Sequence, residues 1–415
     1  MNLHEIAYQL RKLPWLKKHL KDLYQFTGNI ISDKQTKTRY PIQRISDSDT
    51  EHLFGYYDKS PWNNNESKII YLSATGAYKQ VAPSEKAHII LHDIKTDKKK
   101  TIADTKTWNI QQGCMLQWLG DSNDTIIFND INHDKYVSRI LNTETMQERI
   151  IDAPIYSLSK DGKTALTLDF SRLHRLRPGY GYSNLEDRSK NQALPDGYCI
   201  WNIDIGANKI KGILTYRQLY EFQYDDSMKD AEHKVNHIMI NPKGNRFMFL
   251  HRWIKKGVKK TRLLTADIDG NNLFCLLNDD MVSHCNWKND NTILCWAHKN
   301  SLGNHYYLLK DQSNELQLIA PDELTVDGHP SYSPDGKYFV TDTYPDFHRK
   351  QFLYLYDLDT KKVKELAAIH ANIKYRNDCR CDLHPRWNHS CDKICFDAAC
   401  DDKRQVYIID LKETV

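Results

Sequence analysis

No run of about eighteen apolar residues occurs in the chain, which excludes a membrane-spanning helix. A Gly-rich phosphate-binding fingerprint is missing too, which weighs against a conventional nucleotide-dependent transferase. The N-terminal MNLHEIAYQLRKLPW has neither the continuous apolar stretch nor the small-residue cleavage site of a secretory signal. The ten cysteines are therefore expected as reduced thiols in a cytoplasmic protein. Cys379, Cys381, Cys391, Cys395 and Cys400 lie close enough in sequence to raise a structural zinc, although the paired C-x₂-C spacing of such sites is absent. An excess of charge is lacking as well. With 58 Lys and Arg against 54 Asp and Glu, the balance is too even for a surface built wholly to bind nucleic acid, and no nucleic-acid partner is expected.

What the chain does have is β-formers and a repeat. Tyrosine and tryptophan number 24 and 9, an inventory suited to sheets with a sizeable core. Seven segments share an inward residue, a polar turn and a β-run: DKSPWNNNESKIIYLS (58–73), CMLQWLGDSNDTIIFND (114–130), IYSLSKDGKTALTLD (155–169), NHIMINPKGNRFMFLH (236–251), SHCNWKNDNTILCWA (283–297), GHPSYSPDGKYFVTD (328–342) and DLHPRWNHSCDKICFD (382–397). Their inward residues are Trp62, Trp118, Leu158, Ile240, Trp287, Tyr332 and Trp387. Spacings of about 40 to 56 residues, with one of about 82, are the rhythm of propeller blades. The expected fold is all-β, a seven-bladed β-propeller over 39–415. RYPIQRIS (39–46) is left over ahead of the first repeat, and should close the last blade by pairing with RQVYIID (404–410). The long interval holds SRLHRLRPGYGYSNLEDRSKNQALPDG (171–197), which has no apolar period and is expected to loop over one mouth of the ring.

Three residues before each inward position, the last four repeats carry His237, His284, His329 and His384, where the first three carry Lys59, Met115 and Ile155. Innermost strands of a propeller line its channel, so these imidazoles should converge and suit a divalent transition metal: manganese first, with zinc, iron or nickel as alternatives. FGYYDKSPW (54–62) and WNIQQGCMLQW (108–118) bring Tyr56, Tyr57, Asp58, Gln111 and Gln112 to the same mouth, the tyrosines as proton donors and the amides as partners for sugar hydroxyls. The 171–197 loop adds Arg172, His174, Arg175, Arg177, Tyr180 and Tyr182, and the last repeat adds Arg376, Arg380 and Arg386. Guanidinium groups beside a metal point to a carboxylate, sulfate or phosphate, hence to an anionic substrate.

The segments VNHIMINPKGNRFMFLHRW (235–253), VSHCNWKNDNTILCWA (282–297), DGHPSYSPDGKYFVTD (327–342) and DLHPRWNHSCDKICFD (382–397) resemble the oligogalacturonate lyase group of seven-bladed propeller polysaccharide lyases. The resemblance implies a manganese ion held by histidines and a glutamine, with an arginine as base. His284 and His329 match that pattern best, while LTVDGHP (324–330) has no such glutamine. It implies β-elimination from an acidic, uronate-containing oligo- or polysaccharide, with Arg177 or His174 as base and Tyr180 or Tyr57 as acid.

Finally, LHEIAYQLRKLPWLKKHLKDLYQF (3–26) sets apolar residues at helical spacing among Arg11, Lys12, Lys17, Lys18 and Lys21. This N-terminal amphipathic segment (1–30), with Pro14 as a kink, could lie on an anionic inner-membrane surface or dock on the propeller. It keeps two further readings in view: a surface-polysaccharide biosynthesis protein, either a glycosyl-transferring enzyme or a glycan-binding scaffold, and a non-catalytic propeller that only binds partners.

Overall fold

The computed structural model describes residues 14–412. Seven antiparallel sheets follow one another along the chain as a β-propeller, six of four strands and one of five. Blade four shows the pattern at full length. Glu232–Ile240 is innermost and is followed outward by Arg246–Lys255, Val258–Asp267 and Phe274–Leu277, with the first two strands buried almost throughout.

The repeated tryptophan holds neighbouring blades together. The Trp118 indole N–H donates to the Pro61 carbonyl at 2.8 Å, Trp287 to Met239 at 2.9 Å, and Trp387 to Ser331 at 2.9 Å. Each acceptor immediately precedes the inward residue of the blade before, so one contact recurs around the ring. A buried indole needs both an apolar bed and one acceptor, and this register supplies them together.

Ring closure follows the expected pairing. Ile42–Arg44 pairs with Gln405–Asp410 in the register Ile42↔Ile409, Gln43↔Ile408 and Arg44↔Tyr407, covering the outer edge of blade seven. The sequence did not announce a second addition, Lys37–Thr38, which pairs with Val363–His370 and gives blade six its fifth strand. In blade one Trp62 forms only an isolated bridge to Ile69, and Glu51–Leu53 is the innermost strand.

The 171–197 insertion is not a bare loop. It opens on helix α2, Phe170–Leu176, capped by the Asp169 carboxylate accepting the Arg172 N–H at 3.0 Å. Beyond it, Gly181 sits at φ +66° with room for no side chain, since a Cβ there would stand 2.3 Å from the Phe170 carbonyl oxygen. That tight turn sends Tyr182 into the core, where its hydroxyl meets Asn129, and leaves Tyr180 facing the mouth. The insertion reaches across to blade seven, where Gly179 packs on the Asp378 carbonyl.

Helix α1, Pro14–Ile31, precedes the propeller; the first thirteen residues of the expected amphipathic segment lie outside the described residues. Its C-terminal half docks on blade six, with the Tyr24 ring 4.7 Å from that of Phe347 and Gly28 against the Phe347 carbonyl. Among the described residues no helix is long and apolar enough to cross a membrane.

Candidate metal centre and the channel mouth

The four in-register histidines do come together. Ring centroids of His284 and His329 are 4.0 Å apart, those of His329 and His384 4.3 Å, and those of His237 and His284 5.4 Å. All four are buried. His237 and His384 are held at φ +55° and +46°, a left-handed backbone that costs a non-glycine residue energy and recurs at functional sites.

Their hydrogen bonds separate three of them from the fourth. His284 Nδ1 lies 3.0 Å from Asp327, His329 Nδ1 2.8 Å from Asp342, and His384 Nδ1 2.9 Å from the Gly55 carbonyl oxygen. Each acceptor claims an Nδ1–H and leaves Nε2 with its lone pair, the arrangement in which an outer carboxylate or carbonyl orients a metal-binding imidazole. The Nε2 atoms of His329 and His384 are buried without a partner. Burial holds His284 and His329 at about 4, helped at His284 by the neighbouring His329, so both rings are neutral at pH 7. Burial likewise keeps His384 well below its ordinary value.

Among the described residues, the group whose ligand atoms all lie within 4.8 Å of one another is His329, Asp382 and His384. Asp382 was not singled out from sequence. One of its oxygens accepts from Arg380 at 2.8 Å, and the other is buried without a partner. Two neutral imidazole nitrogens and a free carboxylate oxygen, with the His284 ring beside His329, form an N/O donor set that fits manganese, zinc or iron. The cysteines do not join it. Cys395 is packed in the core, Cys400 contacts Tyr407, and no cysteine belongs to the metal-competent group, so the described residues give no support to the zinc raised for the 379–400 cluster.

His237 is bound differently. Its Nε2 is 2.7 Å from the Tyr56 hydroxyl, and its Nδ1 is buried with no partner. Burial lifts the Tyr56 phenol well above its ordinary value, so it keeps its proton, and His237 is its one acceptor among the described residues. The phenol therefore donates to Nε2, which leaves the proton of this imidazole on Nδ1. Tyr57, by contrast, is occupied: its hydroxyl donates to the Cys285 carbonyl at 2.8 Å and accepts the Cys285 N–H at 3.0 Å.

A pocket of about 240 Å³ opens beside this centre, lined by Arg177, Tyr180, His237, Arg252, Lys259 and His284 among others. Arg252 is buried, its Nε has no partner, and burial together with Arg177 lowers it. The same Arg252, ahead of burial, pulls Lys259 down to about 7. Asp327 is the one carboxylate in the lining, and His284 and Ser283 already engage it.

Several residues expected at the mouth are committed elsewhere. Arg172 donates to the carbonyls of His233, Ser189 and Ala193, and Arg175 pairs with Asp187 and Glu232, so both pin the insertion to blade four. Arg386 and Arg404 grip Asp397 from two sides at 2.9 and 2.6 Å, and Arg386 also donates to the carbonyls of Gly55 and Tyr56; it positions Tyr56 from below. Asp58 pairs with Lys59, Gln112 donates to Tyr156, and Gln111 donates to the carbonyls of Asp378 and Arg380. His174 lies outside the pocket lining. Arg380, at 2.8 Å from Asp382, buttresses the candidate metal centre.

Comparison of the whole fold gives TM-score 0.67 to an oligogalacturonate lyase in complex with manganese, at 14% identity over 91% of this chain and 96% of that one. The chain shares the fold of that lyase. An oligogalacturonate lyase from Vibrio parahaemolyticus follows at TM-score 0.62 and 12% identity, again over 91% and 96% of the two chains. The β-propeller domain of the Trilobed protease from Pyrococcus furiosus gives 0.50 and 11% over 88% and 95%. No protein-family model matches the sequence, and no curated protein does.

Proposed function

We propose that the protein is a metal-dependent lyase that cleaves an acidic, uronate-containing oligosaccharide by β-elimination. The observation that carries this reading is the division of the histidines: three with Nδ1 anchored, two of which, His329 and His384, group with Asp382, and one paired with Tyr56. His284, His329, His384 and Asp382 would hold a divalent cation, manganese by analogy with the complexed lyase of the same fold. When bound, the ion would supply Lewis-acid stabilisation of the uronate carboxylate as the C5 proton leaves.

The chain's own groups cover the remaining needs. Arg177 and Arg252 face the pocket as a clamp for the carboxylate, whose charge grows as the carbanion forms. Lys259, held near neutrality by Arg252, is poised as the base, a role that suits it better than the raised Arg177. His237 presents Nδ1–H to the leaving glycosidic oxygen, with the Tyr56 proton behind it. Tyr180 lines the same pocket and helps to place the sugar. The test is ultraviolet absorbance of the conjugated unsaturated uronate on incubation with oligogalacturonate and Mn²⁺. The reading requires activity that EDTA abolishes and Mn²⁺ restores, and loss of activity in Lys259→Met with metal affinity kept. Absence of product across neutral 4-linked and uronate oligomers would refute it.

A second reading, a surface-polysaccharide protein peripheral to the inner membrane, is favoured by α1, where Leu23, Tyr24, Phe26, Ile30 and Ile31 are exposed. Co-sedimentation of the full chain with phosphatidylglycerol vesicles tests it, and no sedimentation at low salt would count against it.

A further inference from the structure

A second pocket, of about 250 Å³, adjoins the first and shares Arg177 and Tyr344 with it. Its remaining lining is Gln25 of α1, Pro345, Arg349, Arg376, Asn377 and Arg380. Four guanidinium groups thus face one small space, and none of the described residues lining it is acidic. Arg380 has Asp382 as counter-charge. The others do not share that neutrality. Arg349 donates only to the carbonyls of Ala371, Asn372 and Tyr375, Arg177 stacks on the Tyr180 ring at 4.8 Å, and Arg376 lies over the Phe26 ring at 5.2 Å. Burial, with Arg376 adding to it and Asp346 opposing it, has brought Arg349 down to about 10. Helix α1 closes the far wall, where Gln25 Oε1 is buried with no hydrogen-bond donor, an amide that can turn its NH₂ toward a ligand oxygen.

From this geometry we infer that the pocket under α1 is a subsite for a phosphate or diphosphate ester carried by the sugar that occupies the neighbouring pocket. A lone carboxylate brings one negative charge to three guanidinium groups that make no ion pair with a carboxylate among the described residues. A phosphate dianion or diphosphate matches that count better and offers the several oxygens that planar guanidinium forks recognise in pairs. Because Arg177 and Tyr344 belong to both pockets, the sugar lies beside His237 and His284 while its phosphate end reaches Arg376. The helix is then a wall of the substrate groove, whatever surface its other face meets. The inference concerns which glycan ends the groove accepts and does not need β-elimination to be the reaction.

The experiment is calorimetric titration of the full-length, metal-free protein with inorganic pyrophosphate and, separately, with digalacturonate. Pyrophosphate is expected to bind with unit stoichiometry at least tenfold more tightly than digalacturonate. Arg376→Gln, which alters a partly exposed side chain with one weak carbonyl contact, should weaken it at least tenfold, and Gln25→Ala several-fold. Equal or weaker affinity than digalacturonate, or an unchanged constant in Arg376→Gln, overturns the assignment. Two competitors then identify the source of the phosphate. A uronyl diphosphate ester should displace pyrophosphate, whereas displacement by phosphatidylglycerol vesicles and not by the ester overturns the sugar ester in favour of a lipid headgroup. Failure of the lyase assay leaves these results untouched, and the converse also holds.

Discussion

Acid should unfold this protein through its channel, and His284 gives the effect a size. Its imidazole is held at about 4 in the fold, by burial first and the adjacent His329 second, against about 6.5 when unfolded. The folded value is the lower one. The unfolded chain therefore binds more protons between those limits, and the stability that the neutral ring contributes is complete above about pH 6.5 and drains away as pH falls toward 4. Integrating the two titrations, His284 costs the fold about 2 kcal/mol at pH 5 and almost nothing at pH 7. The perturbation is His284→Gln, whose amide can still donate to Asp327 and fills similar space. Urea unfolding of the metal-free protein at pH 7 and pH 5 is the assay. Wild type should lose about 2 kcal/mol more than the variant over that interval. Asp342, which burial pushes up to about 7, works in the opposite sense; His284 lowers both it and Asp327, so the comparison reads the imidazole together with these two carboxylates. Equal losses in the two proteins would refute the claim that His284 is buried neutral, and with it the free Nε2 on which metal binding rests.

Tyr56→Phe removes the hydroxyl behind His237 and should lower kcat by about a hundredfold or more with little change in folding. Tyr57→Phe should instead cost about 1–3 kcal/mol, from the two Cys285 backbone groups left buried and unpaired, and leave turnover per folded molecule intact; the reverse pattern would exchange the two roles. Asp382→Asn should weaken Mn²⁺ binding, read by electron paramagnetic resonance titration, and an unchanged affinity would remove it from the ligand set. Asp397→Asn leaves Arg386 and Arg404 buried around a neutral amide and should cost about 3–5 kcal/mol in urea unfolding, with less than 1 kcal/mol lost pointing to a pair that contributes nothing.

The blades were legible because an inward residue, a polar turn and a β-run recur in register, and in three blades that residue is a tryptophan whose indole N–H reaches the carbonyl of the preceding blade. Single additions leave no such trace. Lys37–Thr38 is two exposed residues joined to blade six chiefly by backbone pairing, and α2 is a short helix whose sequence, FSRLHRL, reads as a polar loop until Phe170, Ser171, Arg172 and Leu173 are seen buried. Arginines were the least legible of all. A guanidinium in a loop looks the same in sequence whether it lines a pocket, as Arg177 and Arg376 do, or has spent its donors on carbonyls, as Arg172 and Arg386 have.

The histidines were found by register, yet register could not say which of them would hold a metal, because that depends on what grips the other ring nitrogen. A signal for it does stand in the sequence. Asp-x-His occurs twice in the repeat, at Asp327-Gly-His329 and Asp382-Leu383-His384, and each aspartate serves the histidine of the blade before its own: Asp327 holds His284, and Asp382 joins His329. Both pairs lie in the irregular segments just ahead of the innermost strands, Ser331–Tyr332 and Arg386–Trp387. Moved back one blade, the rule asks what precedes His284 by two. The residue is Val282, which offers His237 no carboxylate. His237 and His384 are thus the two that the following blade leaves without an aspartate: the Gly55 carbonyl takes Nδ1 of His384, and the Tyr56 hydroxyl occupies Nε2 of His237. What grips the second ring nitrogen, a carboxylate or carbonyl at Nδ1 or a phenol at Nε2, is therefore what distinguishes His284, His329 and His384 from His237 on one ring of aligned positions.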